Sequence, residues 1–281
     1  MKHTDNGQDI IFMKQNSKTY DIIRYIVLGV AVVVFLVAAG MLIHIFMEYK
    51  KGTDIYENIS SSVLTPVDKP TGDGTDTSSD EEENLPFVYD HQALLNINSE
   101  GQGYLYIPSI DLRLPVVQGT DNEYYLNHTF NKVYNAAGAL FIDSRVDKGL
   151  GGSNVIIYGH NMKNGSMFAK LAYYKNESFY RQQGNDVFYI YTGDEIREYR
   201  IFDAFENDPE GYVYTCNFGT ASQLQEYAST VKSYSLYDTG VDVSSATQVV
   251  TFSTCTGDGA RRIIVQGIYV GSRTDKQTSD N

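Results

Sequence analysis

Cys255 and Arg262 fall at the facing ends of two apolar, β-branched runs within residues 249–267, VVTFSTCTGDGARRIIVQG. The first run holds Val249, Val250, Thr251 and Phe252, and the second Ile263, Ile264 and Val265. A short polar turn with Gly257 and Gly259 separates them. The pattern predicts a β-hairpin that brings one thiol and one guanidinium to the same end of a sheet. Thiolate is the nucleophilic form of cysteine, and a fixed cation nearby favours it or stabilises charge developing on a substrate oxygen. Cys255 is therefore a candidate nucleophile. Two readings compete: a small inert hydrophobe in a strand, or a disulfide to Cys216, the one other cysteine in the chain.

A thiol nucleophile needs an imidazole to exchange its proton. His160 stands directly after the strand-like run NVIIY, in YGHNM, with Gly159 before it. A turn at that glycine sets the imidazole at the rim of a sheet, where a thiol on another strand end can meet it. Taken alone, such a histidine is more often a satisfied rim residue. His128 sits in a Tyr- and Asn-rich loop suited to structural hydrogen bonds. No His, Cys and Asp cluster has metal-ligand spacing, so neither a metal nor another cofactor is expected.

These residues must be held by strands. Residues 104–107, 112–118, 139–143, 154–158, 187–192 and 198–206 read as short strands, with a hairpin across Gly193 and Asp194. Pro115 marks residues 112–118 as an edge or bulged strand. Residues 87–97, 166–174, 176–183 and 221–233 read as helices, the last with Leu224, Tyr227 and Val231 on one face. Many short strands with turns between them indicate a mainly β barrel or sandwich.

Outside that domain, residues 25–47 are almost wholly apolar, with His44 the one ionisable group, and are long enough to cross a bilayer as a helix. The run is too long for a cleaved signal peptide. Residues 1–24 are expected to be cytoplasmic and the rest extracellular, by the weak lysine and arginine bias before the span. Residues 48–84 are expected to be a disordered acidic linker, since TGDGTDTSSDEEEN contains no apolar side chain. Residues 85–272 then form one domain and 273–281 a disordered tail. The formal net charge of −13 excludes nucleic acid as a natural partner.

The segment TFSTC with a following arginine, together with YGHNMKNGSMF, resembles the sortase family, whose signature is a TLxTC strand and a downstream arginine. LPVVQGTDNEYYLNHTFN and the stretch after GHNM resemble its class B branch. The resemblance covers nearly all of residues 85–271. It implies a closed eight-stranded β-barrel with N-terminal and inserted helices, behind a transmembrane helix. It implies a cysteine transpeptidase with Cys255 as nucleophile, His160 as general acid and base, and Arg262 orienting substrate or stabilising the oxyanion. Counting back from Gly267, Arg262 has the family's spacing, while Arg261 would point to the opposite face. Phe252 stands where the family has leucine, and the turn before Arg262 is shorter than class B suggests. The resemblance also places Asn122, Leu126 and Ser253 in the groove for a sorting peptide, NPQTN-like or LPxTG-like. The acceptor would be a peptidoglycan amine. Alternatives with the same residues are a pilus-type enzyme joining protein subunits and a tethered cysteine protease. A non-catalytic domain with Cys216 bridged to Cys255 is a third.

Overall fold

Side chains alternating with period two need a sheet with one buried face, and here the sheet closes on itself. The computed structural model describes residues 8–67 and 85–274, and for residues 8–19 only the backbone. It divides into two units, Met1–Lys50 and Lys51–Asn281.

Helix α1 (Gln8–Val63) begins in the first unit. Its apolar residues there, among them Val27, Leu28, Phe35, Leu36 and Phe46, are exposed. This part of the helix is long and apolar enough to cross a membrane and is a candidate anchor.

The second unit opens with the last turns of α1. Tyr56, Ile59 and Val63, at helical spacing, are 8%, 4% and 2% exposed. Tyr56 donates its hydroxyl to the Gly138 carbonyl and accepts the Phe130 N–H. The linker expected from residue 48 therefore does not start there. The polar composition of this stretch conceals one apolar helix face, and residues 51–66 belong to the folded unit rather than lying ahead of a domain at 85. The acidic stretch 71–84 and most of the expected tail lie outside the described residues, and the last strand runs to Arg273.

Strand β1 (Leu64–Pro66) pairs antiparallel with β2 (Phe87–Tyr89). Helix α2 (His91–Ile97) follows, its first turn capped by Asp90, which accepts the Ala93 N–H at 2.8 Å. The helix expected from residue 87 thus starts later. Phe87 and Tyr89 alternate inward instead and pack on the Tyr104 and Tyr191 rings.

The barrel is built from β3 (Gly101–Ile107), β4 (Leu112–Val117), β5 (Leu140–Ile142), β6 (Asn154–Tyr158), β7 (Val187–Tyr191), β8 (Ile196–Asn207), β9 (Val249–Cys255) and β10 (Arg262–Arg273). Their order is β10-β8-β7-β3-β4-β5-β6-β9, closed, with β4–β5 and β6–β9 parallel. β4 is therefore not an edge strand. Pro115 is accommodated because β5 pairs only with Val116 and Val117, so no second neighbour needs an N–H at residue 115. Residues 169–175 form 3-10 turns instead of an α-helix over 166–174. Leu171 and Tyr174, three apart, still face inward. Residues 176–183 yield only α3 (Glu177–Tyr180).

Phe252 on β9 meets Phe188 on β7 across the interior, with ring centroids 4.7 Å apart, and Phe168 at 5.4 Å. Gly267 is required by this packing, since a Cβ there would lie 2.3 Å from the Phe188 ring. With Phe252 inward, Thr251, Ser253 and Cys255 face outward. Helix α4 (Ala221–Lys232), started by a Thr220–Gln223 capping box, covers the lower part of that outer face. The Tyr227 hydroxyl accepts from Asn154 and Gln266, each at 2.9 Å, and Gln266 donates to Thr251 at 2.6 Å.

Across the ladder from Gln266 lies Asp203, fully buried. Among the described residues its carboxyl oxygens have no hydrogen-bond partner of ordinary geometry. Burial pushes its pKa well up, against the pull of the Gln266 N–H and the Lys232 charge.

Two measurements check this architecture. A chain beginning at residue 85 should melt well below one beginning at Lys51, because each buried side chain lost from α1 is worth about 1.5–3 kcal/mol. Asp203→Asn should raise stability at neutral and alkaline pH. The folded chain holds this proton more tightly than the unfolded chain. Native stability is therefore fully present below the ordinary carboxylate range and falls as pH rises above it, by at most about 1.4 kcal/mol per pH unit. The gain from the substitution should vanish toward acid pH in melts run as a pH series.

Candidate active site

Three neighbouring strands end at one rim of the barrel. In the parallel ladder, Tyr158 of β6 is level with Ser253 of β9. His160 and Cys255 each lie two residues further on, at the same end of adjacent strands. In the antiparallel ladder on the other side, Arg262 is the direct partner of Cys255. Residues paired in this way share a face of the sheet, so thiol and guanidinium stand on one side. All three side chains are half-buried.

The turn between β9 and β10 is pinned from within. The Thr256 N–H donates to the Arg261 carbonyl at 2.9 Å, and the Thr256 hydroxyl donates to Asp258 at 2.5 Å. Gly259 takes φ 74°, a left-handed conformation suited to glycine. Arg261 turns away from Cys255, donating to the Glu206 carbonyl at 2.8 Å and lying 3.7 Å from the carboxylates of Glu206 and Asp208. The Arg262 side chain donates to the Gly259 and Arg261 carbonyls, and among the described residues no carboxylate pairs with it.

The His160 ring is tied through Nε2 to the Leu126 carbonyl at 2.6 Å. A carbonyl only accepts, so Nε2 carries the hydrogen. Gly159 serves close packing, because a Cβ there would lie 2.5 Å from Leu140 and 2.7 Å from Phe168.

The other sequence candidates divide. Leu126 is 43% exposed and reaches His160 through its main chain. Ser253 lies two residues before Cys255 on the same face but is closed over, with its hydroxyl 3.1 Å from that of Tyr214. Asn122 shares the loop of Leu126, and its carboxamide oxygen accepts the Ser144 N–H at 2.8 Å. Sequence reasoning missed Tyr158 and Tyr214, whose rings stack 6.2 Å apart beside Ser253. Tyr158 donates to Asp143, whose carboxyl is held down at about 2 by Arg145 and Asn122 despite burial. Tyr158 ends the NVIIY run, so its proximity to His160 was readable. Tyr214 comes from a distant loop and was not.

Neither cysteine is bridged. Cys216 is buried, and burial pushes its thiol up to about 11. No cluster of metal-ligating groups occurs among the described residues.

The rim thus carries a half-buried thiol, an arginine directly opposite it and a histidine level with it, residue types that can together support thiol chemistry. The chain belongs to the sortase family of transpeptidases: a sortase domain model matches residues 105–270, and the similarity is to the class B branch. Sortase B of Listeria monocytogenes is 31% identical over 234 residues, 81% of this chain and 92% of that protein. A structure titled as a sortase B–substrate complex of Staphylococcus aureus has a TM-score of 0.57 at 26% identity, covering 64% of this chain and 84% of that one. A structure of sortase B complexed with triglycine has a TM-score of 0.57 at 25% identity, with the same coverage.

Brief treatment of the native protein with iodoacetamide at neutral pH, followed by peptide mass spectrometry, should label Cys255 and spare Cys216. Equal labelling of both would mean that Cys216 is not enclosed.

Proposed function

We propose that this chain is a membrane-anchored class B sortase that works through a thioester on Cys255. The observation that carries the reading is the placement of Cys255 between His160, two residues past the end of β6, and Arg262 at the start of β10. The Cys255 sulfur attacks the carbonyl carbon of the scissile peptide bond in a sorting motif, and its proton passes to His160. Because Nε2 is engaged by the Leu126 carbonyl, Nδ1 is the ring nitrogen that exchanges this proton. The tetrahedral oxyanion is stabilised by the Arg262 guanidinium, which among the described residues has no carboxylate partner. The C–N bond breaks, the leaving amine takes the proton from His160, and the acyl group remains on sulfur. An acceptor amine then attacks the thioester and gives its proton to His160; the C–S bond breaks, and His160 returns the proton to the departing sulfur.

The donor peptide is NPQTN-like or LPxTG-like and the acceptor a peptidoglycan amine. The substrate and triglycine complexes of the relatives support both classes of partner. Leu126, Asn122 and the Tyr158–Tyr214 pair border the groove, with Ser253 behind them. The apolar helix anchors the chain with residues 1–24 in the cytoplasm and the barrel outside, facing secreted proteins and the wall.

The full chain in detergent micelles, given sorting peptides with and without triglycine or diaminopimelate, should yield a peptide–amine product by mass spectrometry. Cys255→Ala should abolish cleavage and transfer alike. Arg262→Ala should lower kcat/KM by about 10²–10³-fold, the scale of losing one oxyanion donor. Arg261→Ala should cost far less. The reverse ranking, or hydrolysis alone at saturating amine, would refute this assignment.

A further inference from the structure

The parallel ladder between β6 and β9 does not stop where the β6 backbone leaves it. The last main-chain bond runs from the Gly159 N–H to the Ser253 carbonyl at 3.2 Å. In a parallel sheet the next rung would join the N–H of residue 161 to the carbonyl of residue 255. That rung is present, but a side chain makes it: Asn161 donates its carboxamide Nδ2 to the Cys255 carbonyl at 2.8 Å. Replacing the main-chain donor frees the backbone to turn at His160 without losing register with the cysteine.

Asn161 is itself held. It forms an antiparallel bridge with Met167, and the Phe168 N–H closes on the His160 carbonyl at 2.9 Å. Met167 adopts φ 54°, an unusual conformation for a side-chain-bearing residue, in the tight return of this loop. Phe168 is fully buried against Phe252 on β9. The residue after the histidine is thus fastened to the backbone of the cysteine, and the loop carrying both is anchored in the core.

We propose that Asn161 is a positioning residue that fixes the separation of imidazole and thiol. This rests on the roles given to His160 and Cys255 above. Only a donor of this length at residue 161 completes the rung. Aspartate there would present an acceptor to the Cys255 carbonyl, alanine would leave that carbonyl unpaired, and glutamine would push the loop outward by one methylene. The Asn161 carboxamide is spent on the Cys255 carbonyl rather than offered to substrate, so the defect belongs to the chemical step.

The test compares the full-length protein with Asn161→Ala, Asn161→Asp and Asn161→Gln. Peptide cleavage and transfer are measured as separate kcat and KM values across pH, alongside melting temperature. Asn161→Ala should lower kcat by about 10–100-fold, the scale of misplacing a reacting group by about an ångström, and leave KM for the sorting peptide within a small factor. Asn161→Asp should fall at least as far, although it is isosteric, and Asn161→Gln should not restore the rate. The limbs of the kcat–pH profile should shift in the variants, since the thiol and imidazole no longer share one geometry. Should Asn161→Ala melt early, the isosteric Asn161→Asp carries the comparison. Wild-type kcat in either folded variant, or a loss confined to KM, overturns the proposal. Cys255→Ala and His160→Ala run in parallel separate the two levels. If they are inactive while the Asn161 variants are not, only the positioning role fails. If they retain activity, the reading of the site itself fails.

Discussion

Strand β9 is hydrogen-bonded on both sides, parallel to β6 and antiparallel to β10, and the site depends on that double pairing. A parallel neighbour ends at the same rim, so it delivers a histidine level with the cysteine. An antiparallel neighbour begins at that rim, so it delivers an arginine directly opposite. Only the short stretch past Tyr158 that carries His160 needs fastening beyond the ladders themselves. Register does the rest, and register in a closed barrel is hard to slip, because one residue of slip would turn Phe252 out of the core and Cys255 into it.

The outer face of β9 grades from sealed to open. Thr251 lies under α4 in a network with Asn154, Gln266 and Tyr227. Ser253 lies under Tyr214. Cys255 lies beyond both. The cover therefore does more than add stability: where it stops fixes which outward position of the strand is left open at the rim. Buried polar partners such as Asn154 and Gln266 tie that cover to the sheet through the Tyr227 and Thr251 hydroxyls.

Much of this was legible in the sequence because it is local. The alternation of VVTFSTC, the apolar run NVIIY and the one-sided face of residues 221–233 each report a strand or helix from neighbouring residues alone. Closure was not legible by pattern, since β4–β5 and β6–β9 pair across long separations that no periodicity records; only the family resemblance implied it. The helix past residue 48 was hidden because three apolar residues face one way in an otherwise polar stretch. β2 was misread because its partner, β1, is three residues long and lies far upstream. Gly159 was expected to permit a turn, and instead it admits the Phe168 ring. The choice of Arg262 over Arg261 rested on spacing; the ladder makes Arg262 the direct partner of Cys255.

The enclosure of Cys216 has a consequence for redox chemistry. With the barrel outside the cell, as proposed, the Cys255 sulfur would meet oxidants, and a second accessible thiol in the same chain would capture it as an internal disulfide. Here the second sulfur is buried and kept protonated by its surroundings. Oxidation at Cys255 therefore does not end in an internal disulfide: its sulfenic acid is either capped reversibly by a small external thiol or goes on to the irreversible sulfinic and sulfonic acids.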